Sequence, residues 1–135
     1  MTTTTLHALN HTLLFAGLCA LLQCFLSALV IARRTQAGVS LLDGGDKPLI
    51  QRIRAHGNFI ETAPMALLLL ALLEWRGFAQ WAVIGFGIML VVGRVLHAAG
   101  IIHSRMQWAR VVGMLMTLFV ISIEAVCVLW IYMMA

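Results

Sequence analysis

The stretch RAHGNFIETAPMALLLLALL, residues 54–73, passes directly from a polar segment to a strongly apolar one. The apolar half, from Met65 onward, requires lipid or a deep protein core around it. The polar half contains an Arg, a His, an Asn and a Glu. We interpret the whole stretch as one helix that is kinked after Glu61, because Pro64 removes a helix hydrogen bond and clashes with the carbonyl at position 60. Such a helix requires an apolar environment at one end and a polar environment at the other.

The composition of the chain excludes a soluble domain. Of its 135 residues, 62% are hydrophobic and 10% are charged, and the mean hydropathy is +0.99. Soluble domains carry about 25% charged residues, so we predict an integral membrane protein that forms one domain over residues 1–135. The net charge of +4 does not indicate a nucleic-acid partner, because no polar segment interleaves basic and aromatic residues. Basic loops that face an anionic membrane surface explain this charge.

Four segments are long and apolar enough to cross a bilayer, which requires about 20 residues per helix. The predicted helices cover residues 12–32, 48–75, 78–103 and 111–135, so the predicted fold class is all-α, an integral membrane four-helix bundle. Asp46 is the predicted N-cap of the second helix, with Pro48 in its first turn. The polar segment HSRMQW separates the third and fourth helices. The N-terminal residues MTTTTLHALNH lack a basic region and a cleavage site, so we expect the first span to be retained.

The distribution of basic residues predicts the orientation in the membrane. With four spans, the first and third connections lie on the same side. Eight basic residues fall on that side: Arg33, Arg34, Lys47, Arg52, Arg54, Arg94, Arg105 and Arg110. Only Arg76 falls on the other side. Because cytoplasmic loops are enriched in Lys and Arg, we predict that both termini face away from the cytoplasm.

A set of polar residues is predicted to converge near the cytoplasmic end of the second and third helices. Arg54, Asn58 and Glu61 are spaced i, i+4 and i+7, so they share one face of a helix. Arg94 and His97 are spaced i and i+3 on the next helix. Ionisable groups inside a membrane generally face protein or water. The pattern therefore predicts a polar pocket between the two helices that opens toward the cytoplasm.

Simpler explanations exist for single members of this set. Three arginines could each be a topology anchor that extends to the lipid headgroups: Arg33, Arg34 and Arg105. Arg54 and Glu61 could form a structural ion pair, although such a pair would not need Asn58. Glu124, deep in the fourth helix, could pair with a neighbouring helix or subunit or remain protonated. No metal site is predicted, because the His and Cys residues do not cluster at ligand spacing.

The segment RAHGNFIETAPMALLL resembles the helix-two signature of the MAPEG family, the membrane-associated proteins in eicosanoid and glutathione metabolism. Supporting similarities extend across most of the chain. They are the four short-looped spans, an Arg pair that closes helix one, the segment GRVLH on helix three and an Arg that opens helix four. The pattern is especially similar to that of the small bacterial members, which implies the bacterial inner membrane as the location.

The resemblance implies a homotrimer of four-helix bundles that binds glutathione, as cosubstrate, between neighbouring subunits near the cytoplasmic face. The residues that match glutathione-binding positions of the family are Arg33, Arg54, Asn58, Glu61, Arg94 and His97. Arg110 matches the arginine at the start of helix four that is proposed to activate the thiol, and Arg105 is the rival for that place. Membrane lipid and an apolar electrophile that arrives from it are the other implied partners.

The function implied by the resemblance is a glutathione-dependent transferase or peroxidase. Arginine side chains bind carboxylates bidentately, and a cation beside a thiol raises the fraction of thiolate. Three positions differ from some enzymes of the family, since Gly57 stands where they have an Arg, and Ile101 and Met114 stand where they have a Tyr. A non-enzymatic membrane protein that binds lipid or a thiol is therefore the alternative. A small proton-coupled exporter that uses Glu61 is a third hypothesis.

Overall fold

The fold is an antiparallel bundle of four long α-helices. The computed structural model describes residues 9–134. Its helices are α1 (Asn10–Ala37), α2 (Lys47–Trp75), α3 (Gln80–Ile102) and α4 (Gln107–Met133), with a short 3-10 helix, Ser104–Met106, before α4. All four α-helices are long and apolar enough to cross a membrane. The predicted all-α four-span architecture is therefore confirmed, and the chain is an integral membrane protein.

The helix boundaries differ from the predicted ones mainly between α3 and α4. The sequence predicts that the segment HSRMQW separates them completely, but α4 already begins at Gln107. This difference has a physical reason, since polar residues in the first turn of a helix place their unpaired N–H groups and side chains in the interface, where water is available. After Glu61, where the sequence predicts a kink caused by Pro64, α2 continues as one helix without interruption.

One end of the bundle contains the end of α1, the start of α2, the end of α3 and the start of α4, and we call it the arginine-rich end. There, Arg33 binds Asp46 through two hydrogen bonds, from Nε to Oδ1 at 3.0 Å and from Nη2 to Oδ2 at 2.7 Å. Asp46 also accepts the backbone N–H of Leu49 at 2.8 Å, which confirms it as the N-cap of α2. The Arg33 guanidinium holds the pKa of Asp46 below its ordinary value. The pair therefore joins α1 to α2.

The opposite end of the bundle is joined by Glu74, near the end of α2. Its carboxylate accepts the backbone N–H groups of His11 at 2.9 Å and of Thr12 at 2.8 Å. The His11 ring donates a third hydrogen bond from Nδ1 at 2.8 Å. Since the first N–H groups of a helix have no partner within it, Glu74 caps α1 from a neighbouring helix.

Helices α3 and α4 approach each other most closely, because glycines line their contact. A side chain at Gly100 would collide with the backbone of Arg110, and one at Gly113 would collide with the backbone of Gly93 and His97. Small residues of this kind let membrane helices pack backbone against backbone. The consequence is that late α3 and early α4 form one rigid wall at the arginine-rich end.

The outer surface of the bundle is apolar along its length. Large side chains such as Leu21, Trp81 and Leu115 are more than half exposed in the single chain. Inside the bundle, Phe59, Leu90 and other apolar residues form the core. A surface of this composition fits hydrocarbon and not water, as expected for a protein whose four helices span a membrane.

Candidate functional site

A polar cavity opens at the arginine-rich end between α2, α3 and α4. Its volume is about 610 Å³, which lies within the range of about 300–1,000 Å³ that is typical of small-molecule sites. The wall consists of Ile50, Gln51, Ile53, Arg54, Gly57, Asn58, Glu61, His97, Ile101 and Arg110. Five of the seven site residues predicted from the sequence therefore meet here: Arg54, Asn58, Glu61, His97 and Arg110.

The α2 wall of the cavity carries the predicted helical stripe. Arg54, Asn58 and Glu61 line it together, and Gln51 extends the stripe by one turn toward the start of the helix. Arg54 and Glu61 are both exposed. Neither belongs to an ion pair among residues 9–134, so the structural pair considered as an alternative does not form. Both charges are therefore free to meet a ligand.

The opposite wall is formed by His97 of α3 and Arg110 of α4. The His97 Nδ1 donates a hydrogen bond of 2.7 Å to the backbone carbonyl of Arg110. A carbonyl can only accept, so this contact assigns the ring hydrogen to Nδ1. Gly100 allows the Arg110 backbone to lie against α3. The backbone of Arg110 is therefore held against α3, and its side chain lines the cavity, whereas Arg105 does not line it.

Arg94 lies behind the cavity and not on its wall. It is only 1% exposed and donates to residues of α2 and α4. Its acceptors are Thr117 Oγ1 at 2.8 Å, Asn58 Oδ1 at 2.7 Å and Thr62 Oγ1 at 3.0 Å, with longer contacts to the Gly113 carbonyl and the Met114 sulfur. Arg94 therefore contacts Asn58, a residue of the cavity wall, but does not line the cavity itself. The sequence had predicted that Arg94 contacts the bound molecule directly.

Arg33, the remaining predicted ligand, is not part of the cavity wall in the single chain. Its side chain binds Asp46 and, at 3.4 Å, Gln36. Of the three positions that depart from the expected pattern, Gly57 and Ile101 line the cavity, and the Met114 sulfur contacts Arg94 behind it. Within the described residues, no group of His, Cys, Asp and Glu could hold a metal ion.

Sequence reasoning missed three residues that shape the site. Gln51 continues the Arg54–Asn58–Glu61 spacing backward, so helical periodicity could have found it. Thr62 and Thr117 accept hydrogen bonds from Arg94. Thr117 is separated from Arg94 by 23 residues and lies on another helix, and no local pattern marks it. Its role depends on how the helices pack.

The charged groups on the wall are two guanidinium groups, from Arg54 and Arg110, and one carboxylate, from Glu61. The buried Arg94 adds a third positive charge directly behind Asn58. Such an arrangement is suited to a ligand that carries more than one anionic group together with a cationic one.

The chain is similar to known membrane proteins. The model of the MAPEG family matches residues 12–130 of the chain. The inner membrane protein YecN of Escherichia coli strain K12 is 39% identical over 97 residues, which is 72% of this chain and 74% of that protein. The YecN protein of Escherichia coli O6:H1, strain CFT073, matches with the same identity and coverage. No solved structure matches the chain.

Proposed function

Because the chain belongs to the MAPEG family, we propose that its cavity binds glutathione or a similar thiol as a cosubstrate. We further propose that the protein is a glutathione-dependent transferase or peroxidase. In this proposal the second substrate is an apolar electrophile that arrives from the surrounding lipid. Its site would then adjoin the apolar outer surface of the bundle.

The charge complement of the cavity is the observation that carries this proposal. Glutathione has two carboxylates and one ammonium group, and the wall presents two guanidinium groups and one carboxylate. Guanidinium groups bind carboxylates through paired hydrogen bonds, so Arg54 and Arg110 suit the two acidic ends. Glu61 suits the ammonium group. Asn58 and Gln51 add neutral hydrogen-bonding groups beside these charges.

In the proposed mechanism, Arg110 stabilises the thiolate form of glutathione, which is the nucleophile. In a transfer reaction the sulfur electron pair forms a bond to an electrophilic carbon, while the leaving group departs with its bonding pair. In a peroxidase reaction two glutathione thiols supply two electrons that reduce a hydroperoxide to an alcohol and water, and they become one disulfide. Arg110 suits this role better than Arg105, because only Arg110 lines the cavity.

A second candidate function is non-enzymatic binding of a lipid or a thiol. Ile101 occupies the cavity wall, where the glutathione enzymes that the sequence resembles place a tyrosine. An isoleucine cannot donate a hydrogen bond to a thiolate or to a leaving group. This candidate predicts saturable binding with no turnover above background.

Two further features belong to the proposal. We propose that the protein lies in the inner membrane and that its arginine-rich end faces the cytoplasm. Eight basic residues lie toward that end, and cytoplasmic segments are enriched in such residues. We also propose a homotrimer in which Arg33 reaches the ligand of a neighbouring subunit. Cysteine labelling from each side of oriented vesicles tests the first, and the mass of the detergent-solubilised complex tests the second.

Calorimetry of the detergent-solubilised protein with reduced glutathione tests the binding function. We expect saturable binding that weakens about tenfold or more in Arg54→Ala and Glu61→Gln, because each loses a charge-assisted hydrogen bond. Arg110→Ala is paired with Arg105→Ala as its control, since Arg105 lies outside the cavity. Absence of binding by the wild type, or equal effects of the two arginine variants, would refute the proposed site.

Conjugation of a simple aryl halide by the purified protein separates the two candidates. A transferase gives turnover that requires glutathione and falls in Arg110→Ala but not in Arg105→Ala. Saturable glutathione binding with a rate equal to that of the uncatalysed reaction would favour the non-enzymatic candidate. Reduction of a lipid hydroperoxide is measured in the same way to test the peroxidase reaction.

A further inference from the structure

The hydrogen bonds of Arg94 have a fixed direction. A guanidinium group has five N–H donors and no acceptor, and Arg94 directs them to α2 and α4 while only 1% exposed. Its Nη1 lies 2.7 Å from the side-chain oxygen of Asn58. Because Arg94 can only donate, the Asn58 atom that faces it must be the oxygen. The Asn58 NH₂ group is then left on the other side of the amide.

The neighbouring hydroxyls reinforce this direction. Thr62 accepts from Arg94 and donates to the backbone carbonyl of Asn58 at 2.9 Å. Thr117 accepts from Arg94 and donates to the backbone carbonyl of Gly113, also at 2.9 Å. Each hydroxyl hydrogen is thus already used, so neither threonine can donate to Asn58 Oδ1 in place of Arg94. Reversal of the Asn58 amide would place two donors against each other.

Asn58 is also a wall residue of the cavity. Since its oxygen is held by Arg94, the group it offers to a ligand is the NH₂, which can only donate. Among residues 9–134 no carboxylate forms an ion pair with Arg94, so its hydrogen bonds go only to neutral acceptors and its positive charge is not neutralised. Both features favour a ligand group that accepts hydrogen bonds and is negatively charged.

We propose that Arg94 is a positioning residue that fixes Asn58 as a donor and thereby selects a carboxylate, and not an ammonium group, at this point of the cavity. This inference rests on the proposed function, because glutathione is the ligand used to test it. It assigns opposite preferences to neighbouring positions of one helix face. Asn58 takes an acceptor, and Glu61, three residues later, takes a donor.

The first test uses no ligand, so that it remains informative if glutathione does not bind. Asn58→Asp keeps an oxygen on Arg94, whereas Asn58→Leu leaves a buried charged donor without its partner. We expect the thermal midpoint of Asn58→Asp to equal or exceed that of the wild type, and that of Asn58→Leu to fall. Equal loss in both variants would show that Arg94 does not hold the Asn58 oxygen, and would overturn the proposal.

The second test measures glutathione binding in an Arg94–Asn58 mutant cycle. We expect Arg94→Met to weaken binding about tenfold or more when Asn58 is present, and to have little further effect in an Asn58→Leu background. Arg94→Lys, which also only donates, is expected to recover part of the affinity. A merely structural role for Arg94 would weaken binding equally in both backgrounds, and that result refutes the positioning role.

The two tests separate the possible failures. If the thermal midpoints follow the expected order but the wild type does not bind glutathione, the proposed function is wrong and the orientation of Asn58 stands. If the wild type binds glutathione and Asn58→Asp binds it as tightly, the donor role of Asn58 is wrong. In that case the proposed function survives.

Discussion

Thr117→Val is the substitution that most directly tests the buried network around Arg94. Valine has nearly the same shape as threonine, so the exchange removes the hydroxyl with little change in packing. Thr117 is fully buried and accepts a hydrogen bond of 2.8 Å from Arg94 Nε. Without the hydroxyl, one donor of a buried guanidinium loses its partner.

The expected magnitude follows from the environment of this hydrogen bond. Hydrogen bonds between membrane helices contribute about 0.6 kcal/mol on average and about 1.7 kcal/mol at most. Bonds to charged groups are the stronger ones, so we expect the free energy of unfolding to fall by about 1–2 kcal/mol. In an Arg94→Met background the same exchange should cost much less, because the valine then meets an apolar neighbour and no donor is left unpaired.

Unfolding by denaturing detergent in mixed micelles measures these free energies for the wild type, both single variants and the double variant. Thr35→Val is the matched control, since Thr35 is exposed and, within residues 9–134, its hydroxyl donates only to the Ile31 carbonyl of its own helix, at 3.2 Å. We expect the control to change stability little. If Thr117→Val costs the same in the wild-type background and in the Arg94→Met background, the two residues are not coupled and the described network is wrong.

Three further predictions concern other parts of the fold. Gly113→Ala should lower stability by about 1–3 kcal/mol, because its methyl group would collide with the α3 backbone. Gly85→Ala is the control and should be neutral or slightly stabilising, because the space around Gly85 is open. Equal midpoints of the two variants in thermal unfolding would contradict the close α3–α4 contact. The pKa of Asp46 is lowered by Arg33, so its contribution to stability is complete above its unfolded value of about 3.9 and is lost as the pH falls through the lower folded value. Asp46→Asn should therefore remove part of the acid dependence of the thermal midpoint below about pH 4, and parallel curves for the two proteins would argue against the Arg33 pair. Glu74→Leu should leave the first amides of α1 without acceptors, so their hydrogen exchange should accelerate while that of mid-helix amides is unchanged; unaltered exchange would show that Glu74 does not cap α1.

The site residues on α2 could be predicted because they belong to one helix. Spacings of three and four residues place Arg54, Asn58 and Glu61 on a common face in any α-helix, and the structure lines the cavity with all three. The N-cap at Asp46 is equally local, since an aspartate three residues before an amide is enough to form it. In both cases the relevant contacts lie within about one or two helical turns.

The sequence alone could not decide which of Arg105 and Arg110 lines the cavity. Both residues lie near the start of α4, and the answer depends on where that helix begins and on how it is rotated. The helix begins at Gln107, and Gly100 lets Arg110 approach α3. Arg110 therefore lines the cavity, whereas the sequence pattern left both arginines possible.

Hydrophobic composition and helical periodicity by themselves determined that the chain crosses the membrane four times and that α2 has one polar face. These properties depend on the transfer of residues into lipid and on the pitch of a helix, which are local. The packing decided that Arg94 stands behind Asn58, that Glu74 caps α1 and that Thr117 completes the buried network. The reason is that lipid and the bundle core are equally apolar, so the apolar faces of a membrane helix do not reveal which of them meets another helix.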